Sequence, residues 1–438
     1  MVALCSLAAF EALAVSTAMP AVAVDLDGLR HYTFAFAVAF ATSVVGMLVA
    51  GRWCDRSGPT PAMWTGVVLF VIGLVVAGTA TGMGALIAGR AVQGVGNGLY
   101  GVALYVLVAR VFAAERHPAV FSAFAAAWVV PAIVGPGLAG LIVDHVGWRW
   151  VFLGAAVLTV PAALLMRPGL TAARSGRPAP DGDAGDASRN EAGPNRVPSD
   201  DAALGVAASG DVDPHDAGPG KPSAGGESGR PFVHALRLAL AVLRAGRGLP
   251  AVVSVRALVS AAFVGAEVLL PLLLVHERHL SAGGAGLILT VGALGWSGAS
   301  WVRGRNLLHV SHTGYVRLGG GLLAFGMVGA AILVLPDVPA GFGMAFWVLA
   351  GGGMGLVYPT LSVLTLELAA PHEQGSASSA LQIADAVAAA LASSATGALL
   401  WALYDIAGLP AYAAVLGLTG MLGVTTMLLA GRTRPAPV

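Results

Sequence analysis

Residues 2–22 read VALCSLAAFEALAVSTAMPAV, an apolar run interrupted by a single acid, Glu11. Wound as a helix, some twenty residues span roughly 30 Å, the thickness of the hydrocarbon core of a bilayer. Glu11 then lies near the midplane, where an ionisable side chain costs on the order of 2.5–3.5 kcal/mol on insertion scales. A carboxyl group kept at that cost can exchange a proton or hold a cation away from bulk water. Arg90 in the apolar run 84–109, Glu267 in the run 249–275 and Asp385 in the run 376–401 are placed in the same way. A guanidinium beside a buried carboxylate favours the ionised form of that carboxylate, which is the tuning that proton coupling requires. Glu11, Arg90, Glu267 and Asp385 are therefore the candidate proton-coupling residues. Arg90 sits roughly 9 Å inside its span, a depth from which an arginine can also snorkel back to water. Asp385 has the structural alternative of pairing within the bundle.

The elements that hold these groups follow from composition. Of 438 residues, 57% are hydrophobic and 11% are charged, against about 25% charged in a globular domain. Ten of the 23 acidic residues fall between Asp181 and Glu227, so the apolar part is poorer still in charge. This is the composition of an all-α integral membrane protein. The net charge of +1 argues for neither nucleic acid nor an acidic partner. Cys5 and Cys54 are far apart, one in an apolar span and one in a polar turn, and suggest neither disulfide nor metal site. His276, Glu277 and His279 crowd one turn and read as exposed helical polarity rather than a metal cluster. No Walker A loop, zincin helix or nucleophile elbow is present; no enzyme activity and no cofactor is expected, and an ATP-driven pump is disfavoured.

Apolar segments recur at 2–22, 33–51, 61–81, 84–109, 119–143 and 149–166, and again at 249–275, 283–302, 315–335, 340–366, 376–401 and 409–430. Backbone amides in lipid must be satisfied within their own segment, so these read as twelve transmembrane helices. The expected organisation is a six-helix bundle over 1–166, a disordered cytoplasmic linker over 167–231, an amphipathic interfacial helix over 232–247, a second bundle over 248–430 and a tail over 431–438. The linker is rich in Pro, Gly, Ala, Asp and Ser without an apolar period. In the interfacial helix, Phe232, Leu236, Ala239 and Leu243 share one face, opposite His234, Arg237 and Arg244. Arg52, Arg56, Arg110, Arg116, Arg303 and Arg305 sit in alternate turns, which places both termini in the cytoplasm by the positive-inside rule. The scarcity of lysine and the wealth of Ala, Gly and Val suggest a GC-rich bacterial genome and hence the bacterial cytoplasmic (inner) membrane. Ala21–Ala23 offers an AxA-like site, but no basic residue precedes the run and Glu11 interrupts it, against a cleaved signal peptide. A start codon upstream is left open.

The halves are related internally. Gly94-Val95-Gly96-Asn97-Gly98-Leu99 aligns with Gly351-Gly352-Gly353-Met354-Gly355-Leu356, and the same offset carries Ser122 onto Ser379 and Gly140 onto Gly397. Duplicated six-helix units are a mark of secondary transporters. Arg90 maps onto Trp347, so this charge belongs to the first half alone.

The turn Gly51-Arg52-Trp53-Cys54-Asp55-Arg56-Ser57-Gly58 resembles the GxxxDRxGRR signature between helices two and three of the major facilitator superfamily, with Pro59 and Thr60 in place of the final basic pair. The resemblance implies that Gly51, Asp55, Arg56 and Gly58 form a conformational latch. Arg90, Gln93 and Gly94 resemble that family's RxxQG motif. Pro131 and Gly135-Pro136-Gly137-Leu138-Ala139-Gly140 resemble its antiporter motif GxxxGPxxGG, implying an antiporter element at Pro131, Gly135, Pro136, Gly137 and Gly140. Glu11 to Pro20 resembles LDxTxVNVALP of the drug:proton antiporters, with Glu for Asp, and Trp148-Arg149-Trp150-Val151-Phe152 resembles that group's WRWVF segment. What the resemblance implies is a major facilitator fold of two six-helix bundles and proton-coupled efflux of a small amphipathic or cationic organic compound, by a chain that is monomeric in the bilayer. Gln93, Asn97 and Trp128 are candidate cavity residues by span and depth. The alternatives are an importer of a sugar or organic acid, and a non-transporting membrane scaffold.

Overall fold

The computed structural model describes residues 1–111, 117–166, 246–370 and 373–434. The expected linker, all but the last two residues of the expected interfacial helix, the end of the tail and Arg116 lie outside the described residues. Twelve long helices follow one another: α1 (Val2–Asp25), α2 (Tyr32–Ser57), α3 (Pro59–Gly78), α4 (Met83–Val111), α5 (His117–His145) and α6 (Arg149–Leu164) in the first half. The second half holds α7 (Leu249–Leu272), α8 (Ala282–Gly304), α9 (His312–Ala330), α10 (Ala340–Leu368), α11 (Gln374–Ala407) and α12 (Pro410–Leu429). Eleven of these are long and apolar enough to cross a membrane, and α6 is the exception at 16 residues. At 1.5 Å per residue α6 reaches about 24 Å, short of the hydrocarbon core. The chain is thus a multi-pass membrane protein.

The turns that carry Arg52 and Arg56, and Arg303 and Arg305, share one face with the C-terminal Arg432 and Arg434; this is the basic face, and the opposite one the far face. The α2–α3 turn needs Gly58, whose φ of 78° is in the region that side chains disfavour. Pro59 then opens α3, where a missing N–H costs nothing.

Close helix contact comes from glycines that leave no room for a methyl group. In α4, Gly94 and Gly98 lie against the backbone of α2, and Gly96 lies against Gly66 and Phe70 of α3. In α10, Gly351 and Gly355 lie against α8, and Gly353 lies against Gly319 and Leu323 of α9. The repeat offset read from the sequence carries the bounds of α4 onto those of α10, and the same alternation of partners recurs in both halves. Small residues at these contacts let dispersion act between backbones, the main cohesive term in lipid.

The two halves meet at the far face. Gly140 of α5 lies against the backbone of Gly283 in α8, and Gly286 lies against the Pro136 carbonyl. The Asp144 carboxylate accepts the N–H groups of Ala282 and Gly283 at 3.1 and 2.9 Å, capping α8 from the opposite half. On the other flank, Gly397 of α11 abuts Thr33, the Tyr32 hydroxyl donates to the Val268 carbonyl at 2.8 Å, and Arg30 pairs with Asp405 at 3.1 Å.

Gly353→Val is expected to force α9 and α10 apart and to cost about 1–3 kcal/mol, read as a lowered unfolding midpoint in detergent. Gly137→Ala, which meets open space, is expected to be neutral or slightly stabilising.

Candidate functional site

The charges expected from the sequence resolve into two pairs and one solitary acid. In the first half, the Arg90 Nη1 donates to the Glu11 carboxylate at 2.8 Å and to the Gln93 side-chain oxygen at 2.7 Å. All three residues are buried. Arg90 therefore points into the bundle, toward α1, and does not snorkel. Both bonds use the same nitrogen, and its Nε has no partner.

The second pair was only half legible. Asp385 of α11 accepts Nε of Arg256 at 2.8 Å, pairs with its Nη2 at 2.6 Å, and accepts the Tyr358 hydroxyl at 3.0 Å. The Arg256 guanidinium stacks on the Tyr358 ring at 3.4 Å, a cation–π contact that helps to hold a charge away from water. Trp296 packs edge-on against Tyr358 and Phe263, and Phe263 stacks on Trp347. Arg256, Tyr358 and this aromatic cluster were not singled out from the sequence. A usable signal was present: Arg256, Ser260, Phe263 and Glu267 follow one another at spacings of four, three and four, one stripe of α7.

Glu267, half-buried on that stripe, is different. Among the described residues no hydrogen bond or ion pair holds its carboxylate. Eighteen residues separate it from the start of the span at Leu249 and ten from its end at Glu277, so it lies inside the span toward the far face, where the neighbouring Tyr32–Val268 contact belongs to the far-face closure.

The remaining expected residues fall into place around these. Asn97 and Tyr105 lie on an open stripe of α4 with Gly101, beside which a Cβ would meet nothing. Trp128 is 48% exposed, whereas Gln93 is buried as the third member of the Glu11 cluster. Of the antiporter-like segment, Pro131 is buried, Gly135 packs on Phe10, Pro136 and Gly140 meet α8, and Gly137 faces open space. Asp55 and Arg56 are exposed at the basic face, and Gly51 has no neighbour within 4 Å. The WRWVF segment ties down the far end of α1: Trp148 and Arg149 both donate to Asp25, at 2.9 and 3.1 Å.

A family model described as Major Facilitator Superfamily matches residues 1–393. The chain is similar to the uncharacterized MFS-type transporter Rv1250 of Mycobacterium tuberculosis, 36% identical over 141 residues, covering 32% of this chain and 24% of that protein. It is also similar to the multidrug transporter protein MdtP of Bacillus subtilis, 28% identical over 162 residues, covering 37% of this chain and 30% of that protein. The chain thus matches less than a third of the length of each relative. Its fold is similar to that of an auto inhibited POT family peptide transporter, with a TM-score of 0.68, 14% identity and coverage of 99% of this chain and 97% of that one. A bacterial homologue of the human lysosomal transporter Spinster, solved inward-facing and unoccupied, gives 0.64 at 14% identity, over 98% and 93%.

Removing one partner of the first pair strands the other charge. Arg90→Ala is expected to destabilise the protein by about 3–5 kcal/mol, and the double variant R90Q/E11Q to recover most of that, both read from unfolding curves in detergent.

Proposed function

The chain belongs to the Major Facilitator Superfamily, and on that premise we propose that it is a secondary active exporter that exchanges a small amphipathic organic cation for protons. The observation that carries this reading is the solitary Glu267. Glu11 and Asp385 are each answered by an arginine within 2.8 Å, so neither is left to take a cation without first surrendering its partner. Glu267 lies between the halves under the far-face closure with no cation of its own, and a proton or a cationic substrate can neutralise it.

In the cycle that follows, both termini and the basic face lie in the bacterial cytoplasm, and the described state is open inward. Glu267 releases its proton to the cytoplasm and takes up the cation, with Phe263 one turn along α7 to meet an apolar body. The two bundles rock about the cavity, the far-face contacts part, and a proton from outside displaces the cation. Arg90 and Arg256 stay paired with Glu11 and Asp385 through the cycle. The latch at Asp55 and Arg56, unengaged with the second half in this state, closes the cytoplasmic ends in the other. The protein works as a monomer, as the family resemblance implies. Multidrug transport, which the name of the Bacillus relative states for that protein, agrees with a cavity whose recognition is aromatic and electrostatic.

A second reading, import of a small polar solute such as an organic acid, draws on Arg256, whose side chain is 12% exposed and offers a cationic site for a carboxylate. Direction of flux in everted vesicles separates the two.

Proteoliposomes loaded with a lipophilic cationic dye and given a pH gradient test the proposal. Glu267→Gln is expected to abolish uphill dye movement while keeping dye exchange at equilibrium, and Glu11→Gln to retain part of the uphill flux. Uphill transport by Glu267→Gln at the normal rate would overturn the assignment.

A further inference from the structure

A crevice of about 580 Å³ opens between α7, α11 and α12, away from the charges described above. Its walls are apolar: Ala257, Leu258 and Ala261 from α7, Leu391 and Ala395 from α11, and Leu422 from α12. The three hydroxyl groups on its walls are spent locally. Ser254, Thr396 and Thr425 each donate to a carbonyl of their own helix, at 2.8, 2.8 and 2.9 Å. Nothing in the crevice recognises a polar or cationic body. Leu391, in its wall, is 66% exposed, so the crevice faces the membrane.

Its length and its mouth identify what fits. Along α12 it runs from Leu418 to Leu429, about 16 Å, close to one leaflet of a hydrocarbon core of about 30 Å. At the basic face it ends at Gly246 and Arg432. The Gly248 N–H donates to the Arg432 carbonyl at 2.9 Å, which brings the exposed Arg247 to the same corner. Gly431 lies beside the Arg317 guanidinium, and Arg434 donates to Thr313 at 3.0 Å. Arg432 thus lines the mouth and Arg247 stands at its corner, with Arg317 and Arg434 farther along the same face. Glu367, near the end of α10, is engaged by His312 at the start of α9, at 3.4 Å.

We propose that this crevice is a binding site for an anionic phospholipid, with one acyl chain along α7, α11 and α12 and the phosphate between Arg247 and Arg432. An apolar slot one leaflet deep holds the chain by dispersion contacts, since the chain enters from lipid and not from water, and the arginines select the headgroup. The site backs onto the second charge pair: Ala257 follows Arg256 directly, and Ala388, another lining residue, is one turn from Asp385. An occupied crevice therefore braces α7 against α11 from behind.

The test uses full-length protein in nanodiscs of phosphatidylcholine with a minor fraction of phosphatidylglycerol, followed by detergent extraction and mass spectrometry of the retained lipid. Wild type is expected to retain phosphatidylglycerol preferentially and to unfold at a higher temperature when it is present. Arg247→Gln and Arg432→Gln are each expected to lower that preference about fivefold without loss of folded protein. Ala395→Leu, which fills the slot, is expected to lower retention of both lipids. Equal retention of the two lipids by wild type, or undiminished preference in both arginine variants, would overturn the proposal. So would displacement of the thermal effect by a lipophilic cationic dye, which would make the crevice a substrate vestibule.

Discussion

A charge in hydrocarbon must be answered by another charge, and the rest of this structure is arranged around that constraint. Water cannot screen Glu11 or Asp385 at their depth, so each has a guanidinium within hydrogen-bond distance. The two answers are built differently. Glu11 meets an arginine on α4 within one bundle, steadied by Gln93. Asp385 meets an arginine on α7 that is also stacked on an aromatic ring. The duplication thus reused the backbone and not the charge chemistry: the acid comes from α1 in one half, and the base from α7 in the other.

The glycine contacts answer a second constraint, that of cohesion in lipid. Gly94, Gly96 and Gly98 set α4 backbone against backbone on α2 and α3, and their counterparts Gly351, Gly353 and Gly355 set α10 in the same way on α8 and α9. At the far face the contact between halves is made the same way, through Gly140 and Gly283. At Gly140 and Gly283 the joint is backbone against backbone, and the side-chain contacts around it, from Asp144, Tyr32 and Arg30, are polar ones that can part without repacking a core.

Much of this was legible in the sequence because lipid makes hydropathy nearly decisive for spans, and because an ionisable residue stands out in an apolar run. The helices, the repeat and the burial of Arg90 beside an acid all trace to that contrast. What sequence could not supply was azimuth. Depth along a helix follows from counting residues, but the facing partner depends on how helices rotate against one another. Arg256 went unremarked near the start of its span, although it completes the site at Asp385. The depth of Glu267 within its span could be counted, but not that the Tyr32–Val268 contact between the halves lies beside it. Asp144 was not singled out from the sequence, and only the meeting of the halves shows that it caps a helix from the opposite bundle.

The pairing of two intramembrane acids with two arginines has an electrical consequence. A pair of opposite charges that moves together carries no net charge through the membrane field, so rearrangement of the bundles does no work against the membrane potential on their account. A single uncompensated charge crossing the whole field is worth about 2.3 kcal/mol per 100 mV. In the cycle proposed above, voltage sensitivity then falls to the occupancy of Glu267: carried across the field empty and ionised it would feel the potential, and carried neutralised it would not. The two arginines leave the paired acids electrically silent.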